Sequence, residues 1–336
     1  MGIIGAGWAG QQHARAMAAL PGRVELLTVA DIDEARARKL AADFKAPSWT
    51  TGYQDLLANE QIDAVSNCLP HHLHAPVTIE AANAGKHILV EKPLATTLDE
   101  ADAMIAAADS AGVTLMVAEN VRFDATNQRV AQLVQEGRLG DIFLVRISRE
   151  HQMHDYLRQR PWFLSDPAGG IMYSGGIHDY ELLRMVAGEI EHVYGLISPS
   201  TLPEMQADDN SVAVARLQNG ASAVIVESFS LKTPETGVFG SIHGSAGSLW
   251  FHGDTIRLYT ADSDNQPELV QEEVVPQQDT FIAEMSHFLE AIETPGMEPI
   301  TSGREERKPL AAVVATYRSF ETGQRVYLES LEAVRS

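Results

Sequence analysis

The chain has 336 residues, 45% of them hydrophobic, enough for two packed domains at the usual ~100–200 residues each. Asp and Glu number 46 against 25 Lys and Arg, a formal charge of -21, and such a surface excludes nucleic-acid binding through a general basic face. No uncharged apolar run approaches the ~20 residues of a membrane helix, and a lone cysteine, Cys68, excludes an internal disulfide and any CxxC motif.

Met1-Gly2-Ile3-Ile4 runs straight into a glycine turn. It lacks the basic and apolar regions of a secretory signal, so a cytoplasmic protein is expected. Short apolar runs then read as buried strands: Ile3-Ile4, Leu26 to Ala30, Ala64 to Cys68, Ile88 to Val90 and Leu115 to Ala118. Ala-rich helical stretches lie between them, at Gln11 to Leu20, Glu34 to Phe44, His74 to Ala84 and Leu98 to Ala111. Thr97 and Glu100 form a capping box for the last of these. Apolar strands separated by helices call for a doubly wound parallel sheet covered on both faces.

After Asp124 a helix at about Asn127 to Glu136 leads into a different texture. Ile142 to Ser148 alternates, and Ser211 to Gln218 and Ala221 to Ser228 flank Asn219-Gly220, read as a type I′ hairpin. Strands are expected at Phe239 to His243, Ser248 to Phe251, Ile256 to Tyr259 and Leu269 to Val275. Helices at Thr280 to Ile292 and Glu305 to Gly323 and a short strand at Arg325 to Leu328 close the chain. Strands in succession without helices between them indicate a mostly antiparallel sheet in an α+β domain. The expected division is residues 1–122 and residues 123–336.

Gly5-Ala6-Gly7-Trp8-Ala9-Gly10 fits GxGxxG, follows a strand, opens a helix, and is followed by Asp31 at the end of the second strand. That is the context a dinucleotide fingerprint requires. Gly5 permits the tight turn, Gly7 lets backbone approach a pyrophosphate, and Gly10 lets the helix pack on the sheet. Asp31 would accept hydrogen bonds from a ribose diol, and with Asp33 would repel a 2′-phosphate, so NAD is preferred over NADP.

Glu91-Lys92-Pro93 ends a strand at the carboxyl edge where open α/β sheets bind ligands. Lys92 is either a proton donor beside a cofactor or a solvated surface lysine, and the tripeptide alone does not decide. Glycines from Gly169 to Gly176 deliver His178 to the start of a helix running to Val186. A histidine there is either an acid/base group or a capping or core residue. Arg122, His154, Asp155 and Trp162, after strands or in loops before His178, are candidate pocket wall. The clusters His71-His72-Leu73-His74 and His151-Gln152-Met153-His154-Asp155 lack HExxH geometry and a cysteine partner, so no metal site is expected.

With the glycine loop, Glu91-Lys92-Pro93 and Gly175-Gly176-Ile177-His178-Asp179 in this order, the chain resembles the Gfo/Idh/MocA family, named for glucose-fructose oxidoreductase, inositol dehydrogenase and rhizopine catabolism. The likeness extends over nearly the whole chain through Cys68-Leu69-Pro70, Asn120-Val121-Arg122-Phe123 and Thr322-Gly323-Gln324-Arg325-Val326. The resemblance implies an N-terminal Rossmann domain and a C-terminal domain whose large open sheet makes homodimers or homotetramers. It also implies hydride exchange between nicotinamide and a secondary alcohol of a sugar, polyol or inositol-like compound. Lys92 would lie near the reacting oxygen with His178 as acid/base, and Trp8 and Ala9 along the pyrophosphate. Leu69, Pro70 and His74 would lie on the nicotinamide side, and Glu91 and Asn120 beside the lysine. The chain departs from the family at Ser174, where an Asp is common four residues before the histidine; Asp179 or Glu181 is expected to substitute, or Lys92 to carry more of the proton transfer, unless the chemistry is not simple dehydrogenation.

The leading expectation is an NAD-dependent sugar or polyol dehydrogenase. Two rivals stand beside it: an NAD-retaining glycoside hydrolase of the same architecture, which would form no net NADH, and a non-catalytic protein that senses sugar or dinucleotide.

Overall fold

The computed structural model of the chain describes residues 1–165, 169–233, 237–261 and 266–332. The chain forms two compact units, Met1–Phe123 with Asp279–Arg307 and Asp124–Gln278 with Lys308–Ser336.

The first unit holds six strands, β1 (Gly2–Ile4), β2 (Thr28–Ala30), β3 (Ser48–Thr50), β4 (Ala64–Asn67), β5 (His87–Glu91) and β6 (Leu115–Ala118). Their order is β3-β2-β1-β4-β5-β6, every neighbouring pair parallel. The chain therefore winds outward from β1 in both directions, and the order reverses between β1 and β4, where such sheets open a crevice. Apolar strands follow from burial on both faces: Ile3, Val29, Val65, Leu89 and Val117 are all fully buried.

Helices Trp8–Ala18, Glu34–Asp43, His74–Asn83 and Leu98–Ala111 alternate with these strands. Ala14 and Met17 of the first helix are buried in the core; a small side chain here lets the helix lie close on the sheet. The capping box forms as expected, with the Glu100 amide donating to Thr97 Oγ1 at 3.2 Å and the Thr97 amide donating to Glu100 Oε2 at 3.1 Å.

Two elements of this unit had no apolar signature. The edge strand β3 carries exposed Ser48 and Trp49 and is held to its neighbour by backbone bonds, such as the Asp31 amide on the Thr50 carbonyl, and by Ser48 Oγ, 2.7 Å from Thr28 Oγ1. The five-residue helix Tyr53–Leu57 follows it.

A single cut after residue 122 is corrected by the return of Asp279–Arg307 to the first unit. Helix Thr280–Glu293, capped by Asp279, places Met285, Phe288 and Leu289 in the same hydrophobic core as Ala14 and Met17. The Arg23 guanidinium donates to Ser286 Oγ and Glu293 Oε2, both at 2.8 Å, and the Val117 amide donates to the Thr301 carbonyl at 2.8 Å.

The second unit is built on nine strands: β7 (Ile142–Glu150), β8 (Ile190–Ser198), β9 (Asn210–Leu217), β10 (Ser222–Ser228), β11 (Gly237–Gly244), β12 (Ser248–His252), β13 (Thr255–Ala261), β14 (Pro267–Val274) and β15 (Val326–Tyr327). Their order is β14-β13-β12-β11-β7-β10-β9-β8-β15, with only β7 and β10 parallel among the neighbouring pairs. Along β9 the side chains alternate strictly between buried and open positions, the mark of a sheet with one covered face. Tyr194, Leu196, Val212 and Val214 are exposed.

Strand β8 was not expected from sequence, and the hairpin differs from its expected type. Gly220 has φ of 89° but Asn219 is not left-handed, whereas type I′ needs both. Instead the Gly220 amide donates to the Leu217 carbonyl and the Leu217 amide to the Ala221 carbonyl, a three-residue loop ending in a glycine bulge.

Candidate active site

In the first unit the glycine loop joins β1 to helix Trp8–Ala18. Gly5 has φ of 99°, and a Cβ there would come within 2.5 Å of the Cys68 carbonyl oxygen. A Cβ on Gly10 would come within 2.1 Å of the Gly5 carbonyl oxygen, whereas one on Gly7 would meet nothing within 4 Å. Gly5 and Gly10 are thus required by packing, and the space in front of Gly7 is open. The helix begins after Gly7 with no side-chain cap and no acid in its first turn, which leaves its first N–H groups and its dipole to an anion.

Asp31 follows β2 and braces this loop. Its Oδ2 accepts from the Ala6 amide at 2.7 Å and its Oδ1 from the Asp33 amide at 2.8 Å. Asp33 in turn caps helix Glu34–Asp43. Trp8 stands half out of the surface, edge-on to Phe281 at 5.7 Å between centroids, and Ala9 is half-buried beside it.

Leu69 and Pro70, both half-buried, follow β4. His74 is fully buried, with Nδ1 at 2.7 Å from the Pro93 carbonyl and Nε2 at 2.9 Å from that of Leu69. Enclosed with both nitrogens on backbone carbonyls, the ring holds the loop after β4 to the one after β5. Burial lowers its pKa, against the two carbonyls, which raise it.

Glu91 is the last residue of β5, and the half-buried Lys92 follows it before a cis Lys92-Pro93 bond. Glu91 Oε2 accepts from the Lys92 amide at 3.2 Å, and its Oε1 lies 3.2 Å from Nε2 of His13. The other ring nitrogen of His13 meets Ser66 Oγ. Burial alone would lower the His13 pKa, but Cys68 and Glu91 reverse this and raise it well above the ordinary value. Burial would raise the Glu91 carboxyl, yet His13 and Lys92 bring it below its ordinary value. The buried His13–Glu91 pair contributes to both shifts. His13 had been given no role from sequence, although one signal was present: it is the polar residue on the stripe Gly10, His13, Ala14, Met17, all buried.

Asn120 lies in the turn after β6 and donates to Thr280 Oγ1 at 3.4 Å, with Arg122 half-buried in the same turn.

In the second unit, His178 is half-buried in the first turn of helix Ile177–Ala187, preceded by one π-helical turn, Met172–Gly176. Such turns re-aim side chains, often at functional positions. Ser174 is buried within it and donates to the Gly170 carbonyl at 2.7 Å.

The acids expected to replace the missing aspartate are both committed elsewhere. Asp179 is fully buried and accepts from Arg149 Nε at 3.0 Å and Nη2 at 2.7 Å; Glu181, also fully buried, takes Arg184 Nη1 at 2.5 Å. Asp179 has no exposed surface. The Asp155 side chain is 90% exposed and pairs with Arg158 at 3.2 Å.

His154 is held from inside: its Nε2 lies 3.2 Å from Oδ2 of the fully buried Asp209 and 3.3 Å from Thr201 Oγ1. Trp162 packs on Phe163 at 5.1 Å. Sequence reading missed Asp208, Asp209 and Tyr317. The Tyr317 hydroxyl donates to Asp208 Oδ1 at 2.8 Å and its ring stacks on Tyr173; burial raises the Asp208 carboxyl despite that bond. Among the described residues, no group of three His, Cys, Asp or Glu is placed to hold a metal.

An open glycine loop braced by an acid at the second strand, with a lysine closing the fifth, defines a dinucleotide-binding oxidoreductase of the doubly wound class. Residues 1–119 match the oxidoreductase family with an NAD-binding Rossmann fold, and residues 127–250 match the GFO/IDH/MocA C-terminal domain. The chain is 32% identical to the uncharacterized oxidoreductase YrbE of Bacillus subtilis, over 99% of this chain and 97% of that one. It is 30% identical to D-xylose 1-dehydrogenase (NADP(+)) 2 of Haloferax volcanii, over 91% and 92% of the two chains. The solved structure of the WlbA dehydrogenase from Bordetella pertussis with NADH and UDP-GlcNAcA is 26% identical, at a TM-score of 0.84 over 97% of each chain. The chain belongs to the Gfo/Idh/MocA oxidoreductase family.

Proposed function

We propose that the chain is an NAD-dependent dehydrogenase that moves hydride between nicotinamide and a secondary alcohol of a sugar, a polyol or a sugar derivative. The observation that carries this reading is the glycine loop, open at Gly7 and braced by Asp31, on the same sheet edge as Lys92. NAD, when bound, supplies the hydride acceptor. Gly5, Gly7, Trp8, Ala9 and Gly10 bind the pyrophosphate through backbone N–H groups and the helix end. Asp31 accepts from the ribose diol with the lone pairs its two amide bonds leave, and with Asp33 it disfavours a 2′-phosphate. Leu69, Pro70 and Asn120 flank the nicotinamide.

Lys92 donates to the reacting oxygen and stabilises the alkoxide that forms, while His178 takes the hydroxyl proton. Ser174 bonds to backbone, and Asp179 and Glu181 face guanidinium groups. Arg122, His154 and Trp162 line the substrate, His154 oriented by Asp209.

An absorbance screen for NAD and NADP reduction against aldoses, inositols, uronates and amino sugars tests the reading. Turnover with NAD is expected. Bound NAD without turnover over the whole panel, or preference for NADP, would count against it. Lys92→Ala should lower kcat by about 10²- to 10⁴-fold, and an unchanged kcat ends that assignment.

The exposed row Tyr194, Leu196, Val212 and Val214 on β8 and β9 supports a homodimer or homotetramer built on this sheet face; light scattering of Leu196→Asp against the parent chain checks it. Among the described residues no helix is long and apolar enough to cross a membrane. Dependence on the cell's NAD pool supports action in the cytoplasm.

A further inference from the structure

We infer that His13 is a positioning residue for Lys92, acting through the Glu91 carboxylate; this rests on the reading of Lys92 above and adds a residue to it. The chain of contacts is short. Ser66 Oγ meets His13 Nδ1, His13 Nε2 lies 3.2 Å from Glu91 Oε1, and Glu91 Oε2 accepts from the Lys92 amide at 3.2 Å. Each link belongs to a regular element: Ser66 to β4, His13 to helix Trp8–Ala18, Glu91 to the end of β5.

One carboxylate oxygen of Glu91 thus faces inward and the other holds the peptide from which Lys92 departs. With both oxygens engaged, the carboxylate plane is fixed, and with it the last peptide of the strand. His13 is 1% exposed and Glu91 14%, so water cannot readily replace the imidazole as partner of Glu91. A group at that depth holds a charge only when paired, which makes the pair a geometric constraint as well as an electrostatic one.

The groups facing His13 come from every packed element: Ser66 and Cys68 from β4 and its end, Glu91 from β5, and the Phe281 ring at 6.0 Å with Glu284 from helix Thr280–Glu293. Lys92 lies next to Glu91, and Glu119 next to Glu284. Glu284 is the one competitor for the imidazolium on that side. It is fully buried, its Oε2 has no hydrogen-bond partner, and burial pushes its carboxyl well up, which favours the neutral acid and leaves the imidazolium to Glu91.

The test uses His13→Gln, Glu91→Gln and the double variant in the full chain, with two readouts. In hydrogen exchange, the peptide carrying the Lys92 amide should exchange faster in His13→Gln while helix Leu98–Ala111 keeps its protection. In kinetics on a substrate from the screen, kcat should fall by about 10- to 100-fold with KM for NAD within about twofold, and the double variant should be no worse than the worse single. Parent-like exchange at Lys92, or a kcat loss matched by a rise in KM and additive in the double variant, overturns the proposal. Where His13→Gln does not fold, Glu91→Gln alone must reproduce the kcat loss, and parent-like kcat in that variant overturns it. Lys92→Ala separates the two layers. Parent-like turnover there ends the reading of Lys92, whereas lost turnover there with parent-like His13→Gln ends only the role of His13.

Discussion

In the first unit the buried ion pair beside the cofactor loop is a histidine against a carboxylate, His13 on Glu91, whereas in the second unit two acids of helix Ile177–Ala187 face guanidinium groups, Asp179 on Arg149 and Glu181 on Arg184. Both arrangements place charge where burial penalises it, and in both each charge has a partner of opposite sign. They differ in what pH can do to them. A guanidinium keeps its charge through any physiological range, so the pairs around the His178 helix act as fixed struts. An imidazolium can be lost, so the pair beside Lys92 is strong only within a window. The unit carrying the cofactor loop therefore contains an adjustable element that the His178 helix lacks.

Breaking a fixed strut should have the largest effect. Arg149→Met leaves Asp179 buried without the guanidinium that donates twice to its Oδ1 and should cost about 3–5 kcal/mol, measured by denaturant unfolding of the full chain. Adding Asp179→Leu should recover much of that loss, since replacing both partners is far milder than stranding one.

Next comes the glycine that packs the first helix. Gly10→Ala would put a methyl 2.1 Å from the Gly5 carbonyl oxygen, a backbone atom that cannot step aside. A loss of about 1–3 kcal/mol with clearly weaker NAD binding, read by titration of intrinsic fluorescence, is expected. Gly7→Ala meets nothing within 4 Å and should affect binding without affecting stability.

The adjustable pair predicts a pH dependence with a definite sign. The His13 pKa is raised above its ordinary 6.5, so its contribution is complete below that value and is lost as pH rises through the raised one. The Glu91 pKa is lowered below its ordinary 4.5, so its contribution is complete above that value and is lost as pH falls through the lowered one. The pair is thus strongest between about pH 4.5 and 6.5. Glu284, raised by burial above its ordinary 4.5, adds a loss that begins as pH rises past that value. Each proton released on unfolding can contribute a slope of up to about 1.4 kcal/mol per pH unit. Stability measured against pH should fall above 6.5 in the parent chain and fall less steeply in His13→Gln. An identical slope in the two would remove the contrast between the units.

The smallest effect belongs to the capping box. Thr97→Ala should cost about 1 kcal/mol, visible as a modest drop in Tm with NAD affinity unchanged.

Much of the first unit was legible because its signals are local. Apolar runs, helical periods, the Thr97 box and the glycine loop each depend on residues within a few positions of one another, and five of its six strands were placed from them. The strand Ser48–Thr50 escaped because an edge strand with exposed side chains leaves no hydrophobic trace. The hairpin at Asn219-Gly220 was placed correctly and given the wrong turn, since Asn-Gly suits several loop types and the register of β9 on β10 selects among them.

The site divides in the same way. Gly5, Gly10 and Lys92 stand where their neighbours in sequence place them. The acids did not: Asp179 and Glu181 stood near His178 in sequence, but partners distant or adjacent in space, Arg149 on β7 and Arg184 one helical turn on, claimed them. His13 shows the converse, an unremarked residue whose partners Ser66, Glu91 and Glu284 all lie far along the chain.

By itself the amino-acid sequence determined the alternation of strand and helix, the cofactor loop and the family, because periodicity, turn chemistry and short motifs are written in consecutive residues. Tertiary structure alone decided that Asp279–Arg307 completes the first unit, that His74 is a clamp between loops, and which carboxylates remain available for chemistry. Those outcomes depend on burial and charge pairing between segments far apart in the chain, where a group's neighbours in space set its protonation and its freedom to act.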